Sequence, residues 1–132
     1  MYFTTRLACL CLMIALVAGC GRSTYASVFR KSLDLLREVR GTLQDVTDEA
    51  SAKAAVDKLK AIRDKNDAIK AELQALNPKP TPKEQQSLKN TNADYIELVK
   101  DIRNEEVRIR RYPVLKAQLD EPLKWLDNSG LL

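Results

Sequence analysis

Asn77-Pro78-Lys79-Pro80-Thr81-Pro82-Lys83-Glu84 is the stretch that divides this chain. Three prolines within five positions remove backbone donors and push the residues before them into extended conformations, so no helix runs through Pro78–Pro82. The same stretch restarts one. Thr81 is a good N-cap, Pro82 suits the first helical position, and Glu84 stands three residues after the threonine, which together make a capping box. A stiff link followed by a strong start predicts two long helices, one on each side.

Upstream, the positions Ala52, Ala55, Leu59, Ile62, Asn66, Ile69, Leu73 and Leu76 recur at steps of three and four, one face of a helix over about 49–76. Thr47 and Asp48 supply cap-type side chains before it. Before that turn, Tyr25, Phe29, Ser32, Leu36, Val39, Leu43 and Val46 form a stripe that Leu33 and Leu35 widen, predicting a helix over about 24–46. Gly41 lies inside it and should weaken it by up to about 1 kcal/mol relative to alanine. Downstream of the prolines, Leu88, Asn92, Tyr95, Val99, Ile102, Glu106 and Ile109 predict a third helix over about 82–111, ended by Pro113. From Val114, Leu115, Leu119, Leu123 and Leu126 make a shorter helical piece that Pro122 should interrupt.

Low aromatic and glycine content suits the same all-α class. The expected architecture is an antiparallel three-helix bundle occupying 24–112, with a C-terminal helical tail at 113–132. If the second and third helices form a hairpin about Lys79, Asn66 and Asn92 fall level with each other. A buried Asn66–Asn92 pair would then fix register, with a small polar ligand pocket as the alternative. Tyr112 and Trp125 in the tail are expected to cover the open end of the bundle. They are also the first candidates for an interaction surface, because exposed aromatics concentrate binding energy.

The N-terminus has a different organisation. Tyr2–Arg6 is a short charged leader and Leu7–Gly19 is an unbroken run of 13 apolar or small residues. As a helix this run would span about 20 Å against a hydrocarbon core of about 30 Å, too short for a transmembrane segment and right for an export signal. All three cysteines, Cys9, Cys11 and Cys20, belong to this region, so a chain cut after Gly19 keeps one sulfur and has no disulfide framework. The run Leu16-Val17-Ala18-Gly19-Cys20 resembles the lipobox of bacterial lipoproteins. That resemblance implies signal cleavage between Gly19 and Cys20, a diacylglycerol on the Cys20 sulfur, and a tether over 20–23. Gly21, where inner-membrane retention in enterobacterial-type sorting uses aspartate, implies an outer-membrane protein facing the periplasm. The segments Thr47–Ala55 and Arg111-Tyr112-Pro113 resemble small helical lipoproteins of unassigned function.

The chain contains 22 Lys and Arg, 18 Asp and Glu and no histidine, a net charge of +4. Without histidine or a free thiol there is no Ser-His triad, cysteine nucleophile or ordinary zinc site. Asp45, Asp48 and Glu49 read as acids that complement a helix start, and Glu105 and Glu106, adjacent on a helix, point in different directions, so neither set reads as an acid–base pair. Arg103, Arg108, Arg110 and Arg111, or Lys79, Lys83 and Lys89, could suggest nucleic acid. Alternating charge signs at helical spacing and the export signal argue against it. Arg22, Arg30 and Lys31, close to the lipid, suit an anionic membrane surface. The expectation is therefore a non-enzymatic, lipid-anchored structural or protein-interaction module with no metal or cofactor. Its partners would be the membrane and an envelope protein, and its alternative is a small-ligand or lipid-binding bundle.

Overall fold

The computed structural model describes residues 23–76 and 79–132; the signal and lipidation positions through Cys20 lie outside them. The described residues are all-α, with four helices packed together and no strands: α1 Tyr25–Gln44, α2 Glu49–Gln74, α3 Pro82–Arg110 and α4 Pro113–Asn128. Three of the four begin with reciprocal caps. Thr24 exchanges bonds with Ser27, Asp48 with Ser51 and Thr81 with Glu84, so orphan amides at each start find side-chain acceptors. α4 starts instead with Pro113 at its first position and has no side-chain cap.

Side-chain pairs set the helix directions. The ion pairs Lys31–Glu72, Lys65–Glu38 and Lys58–Asp45 join residues whose numbers total 103 in each case, so α1 and α2 are antiparallel. Arg40 pairs with Asp101, and Arg108 donates to the Val46 carbonyl; these offsets are nearly constant, so α3 runs parallel to α1. α4 turns back along α3, with Tyr95 Oη donating to the Leu131 carbonyl and Arg110 pairing with Asp127.

α1 packs on both α2 and α3, and α4 packs on both of them from the other side. Around the bundle the order is α1, α2, α4, α3. No Cα of α2 comes within 8 Å of one in α3, so the link between these two crosses a diagonal of the bundle. This corrects the expected hairpin about Lys79. It also explains the widened stripe of α1, which must face two neighbours and buries Leu33, Leu35, Leu36, Val39 and Leu43 in doing so.

The C-terminal segment also differs from expectation. It is a continuous 16-residue helix through Pro122, and Leu115, Leu119, Leu123, Leu126 and then Leu131 join the same core as Leu36, Leu59 and Ile102. Proline inside a helix costs about 3 kcal/mol or more, whereas burying each leucine contributes about 1.5–3 kcal/mol. Four leucines on one face therefore outweigh one missing donor. Gly130, at φ 71°, ends the segment in the left-handed conformation that glycine adopts without strain.

Because α4 is short, it covers only part of the bundle. It lies beside the N-terminal half of α2 and the C-terminal half of α3. Within α3 the buried residues are Leu98, Ile102, Glu106 and Ile109, all in the covered half. The half before Leu98 has Leu88 and Tyr95 half-buried and is otherwise largely exposed.

Candidate functional site

Along α2, Val56, Leu59, Lys60 and Arg63 project on the edge facing α4, where Glu121, Pro122 and Trp125 complete a cleft. Spacings of three and four place these residues on one face of each helix. Trp125 is half-buried: its ring packs against the core and its remaining surface opens into the cleft. Pro122 contributes here as well, its apolar ring forming part of the wall one turn before the indole. Lys60, Arg63 and Glu121 are exposed and form no ion pair among the described residues. The cleft thus has an aromatic and aliphatic floor, two cations on one rim and one carboxylate on the other.

Its volume, about 260 Å³, falls below the roughly 300–1,000 Å³ of small-molecule sites. A single side chain of a partner fits better than a whole ligand. Tyr112 does not share this cleft. It is 57% exposed at the α3–α4 corner, and thirteen residues along a helix separate it from Trp125 by about 20 Å.

The two asparagines are not brought together. Asn66 is buried in α2 with its Nδ2 lacking a hydrogen-bond partner, while Asn92 is exposed on α3 beside Phe29, Leu88 and Lys89. The expected register pair fails for the same reason as the hairpin: α1 stands between the helices that carry the two residues. Cys20 and Gly19 lie outside the described residues.

A second polar cluster joins α3 to α4. Glu106 is buried, its Oε2 accepts from Arg103 at 2.9 Å, and its Oε1 has no partner. Burial pushes the Glu106 carboxyl up, and the Arg103 hydrogen bond offsets only part of this. Arg103 also binds Asp127, whose other oxygen accepts from Arg110 at 2.8 Å. Burial raises the Asp127 carboxyl, but the bonds from Arg110 and Arg103 outweigh it and hold the group below the usual aspartate range. Its bonds run from Arg103 and Arg110 of α3 to Asp127 of α4, and it reads as an interhelical clamp.

Arg108, one of the arginines that could suggest nucleic acid, has a specific structural task. Its Nη1 and Nη2 donate to the carbonyls of Val46 and Leu43 at 2.8 and 2.9 Å, while Nε binds Glu105 at 2.6 Å. The guanidinium fork therefore satisfies carbonyls at the end of α1, whose last turn contains no basic residue of its own. A parallel contact between helices some sixty residues apart leaves no local trace in sequence; only the missing basic residue at the end of α1 hinted at an outside donor.

No family model matches this chain, and comparison with curated proteins and with solved structures found no significant match.

Proposed function

We propose that the protein is a lipid-anchored, non-enzymatic helical module of the bacterial cell envelope that receives an acidic, amphipathic segment of a partner protein in the Trp125 cleft. The cleft carries this reading: an indole and aliphatic floor beside two cations that have no acidic partner among the described residues. An apolar side chain would enter against Trp125 and Pro122 while a neighbouring carboxylate meets Lys60 and Arg63. Aromatic anchors within such pockets dominate interface energetics, and complementary charge sets approach and orientation.

The anchor rests on Leu16–Cys20, with cleavage before Cys20 and a lipid on its sulfur, and Gly21 favours the outer membrane facing the periplasm. No helix among the described residues is long and apolar enough to cross a membrane. Two acyl chains or more would make the attachment durable where one is marginal. The alternative, a small-ligand or lipid-binding bundle, would need a groove for an acyl chain between helices; the packed leucines between α2 and α4 favour the interaction module.

Crosslinking of the lipidated protein in its native membranes tests the proposal. Trp125→Ala and Lys60→Glu/Arg63→Glu should each abolish a crosslinked partner that wild type captures. Circular dichroism must show both variants to be as helical as wild type. Capture unchanged in both variants removes the cleft. A Cys20→Ser protein that still fractionates with membranes, or a mature N-terminus without lipid by mass spectrometry, removes the anchor. Deleting α4 is unsuitable as a probe because it strips leucines from the core.

A further inference from the structure

The two ends of the bundle differ in charge balance. Ser23 Oγ donates to Glu72, and Phe29 shares a groove with Leu88 and Lys89, so the start of α1, the end of α2 and the first turns of α3 share one end. That end carries Arg30, Lys31, Lys70, Lys79, Lys83 and Lys89 against Asp34, Glu72, Glu84 and Asp94. Three of the four acids are already engaged: Asp34 binds Arg37 and Glu72 binds Lys31, each at 2.7 Å, and Glu84 accepts from the Thr81 amide and hydroxyl. Arg30, Lys79, Lys83 and Lys89 are exposed and form no ion pair among the described residues. At the opposite end the two signs balance: Lys53 pairs with Glu49, Lys58 with Asp45, Arg108 with Glu105 and Arg110 with Asp127, and the exposed cations Arg111 and Lys116 are offset by the exposed acids Asp48 and Asp57. Apolar surface accompanies the free cations, since Leu73 is 45% exposed on the last turns of α2.

Cys20 precedes Ser23 by three residues, which span at most about 11 Å when fully extended. A lipid on that sulfur would hold this end, and no other, within about one Debye length of the bilayer. We propose that the end of α2 and the start of α3 dock on an anionic lipid surface, with Arg30, Lys79, Lys83 and Lys89 against the headgroups and Leu73 toward the interface. The proposal rests on the lipid-anchor reading and adds an orientation to it. The bundle then stands on this end, and the Trp125 cleft lies about 20–30 Å along α2 from the surface.

The test uses the full processed protein in vesicles of phosphatidylcholine, alone or mixed with phosphatidylglycerol. With the Cys20 sulfur blocked by lipid, Ser87→Cys and Lys53→Cys each provide one labelling site, at the docking end and the far end. A fluorophore at position 87 should be quenched severalfold less by an aqueous quencher in the anionic vesicles than in the neutral ones, and high salt should erase the difference. The same difference should vanish in a Lys79→Glu/Lys83→Glu/Lys89→Glu variant, and a label at position 53 should not respond. The salt arm needs no variant, so a misfolded triple substitution cannot rescue or sink the idea alone. Equal quenching at position 87 in both compositions, with lipid present by mass spectrometry, overturns the docking and leaves the anchor standing. Protein without lipid that binds anionic vesicles through the same lysines sinks the anchor and keeps the docking face; without lipid and without binding, both fall. Protection at position 87 that requires added envelope protein, in neutral vesicles as in anionic ones, assigns the face to a protein and overturns the proposal.

Discussion

The half of the bundle under α4 and the half beyond it are built from the same long helices and obey different rules. Where α4 is present, four helices enclose Val39, Leu43, Leu59, Ile102, Leu119 and Leu126, each at most 1% exposed. Beyond α4, α3 continues along α1 alone and buries no residue before Leu98. Helical periodicity is equally good in both halves, so a stripe at the right spacing is no guarantee of burial. What decides it is whether the neighbour's own stripe arrives at the same level.

The sharpest way to break this contrast is by truncating a leucine in each half. Leu119→Ala should cost about 2–5 kcal/mol, whereas Leu88→Ala should cost under about 1 kcal/mol, both read from denaturant midpoints. Similar losses would mean that the open half is covered in solution. Arg108→Ala should cost about 2 kcal/mol, because two carbonyls at the end of α1 lose a charged donor. Arg108→Lys should not restore it, since an ammonium cannot reproduce the fork. Asn66→Leu should instead stabilise by about 1–2 kcal/mol by removing an unpaired buried amide, while Asn92→Leu stays within about 0.5 kcal/mol of wild type. A double-mutant cycle that couples the two positions would contradict the diagonal arrangement.

Smaller effects sharpen the picture within the covered half. Burial raises the Glu106 carboxyl above its ordinary 4.5, so the folded state holds that proton more tightly than the unfolded chain does. The associated stability is fully present below pH 4.5 and is lost as pH rises through the folded value. Glu106→Gln removes this titration, so the variant should gain on wild type as pH rises across that window; parallel stability curves would place Glu106 in water. Last comes Gly41, where an added Cβ would meet nothing within 4 Å. Gly41→Ala should raise stability by about 0.5–1 kcal/mol, measured by thermal unfolding.

Much of the local structure was legible in the sequence because its causes are local. Thr81, Pro82 and Glu84 start α3 where their spacing says, Asp48 caps α2, and Pro113 follows the end of α3. The order of helices around the bundle was harder, although Leu33 and Leu35 carried a trace of it: a helix with a broadened apolar arc serves two neighbours. Pro122 misled because its backbone penalty is local while the compensating burial of Leu115, Leu119, Leu123 and Leu126 depends on helices elsewhere in the chain. The Asn66–Asn92 match followed from a hairpin that α1 prevents, so correct arithmetic met the wrong topology. Trp125 stood out by composition alone; its companions Val56, Leu59, Lys60 and Arg63 belong to another helix and became visible only when α2 and α4 were placed side by side.

The diagonal link between α2 and α3 has a consequence for the order in which the chain can be made. A growing polypeptide completes α1 and α2 first, and these form a hairpin that leaves much of the broad arc of α1 uncovered. α3 must be finished before that arc is sealed, and Leu119, Leu126 and Leu131, which follow α3 in the chain, close the remaining side. Every shorter nascent form therefore presents apolar surface to whatever surrounds it, as incomplete bundles do. For this bundle, folding can be completed only once α4 has emerged.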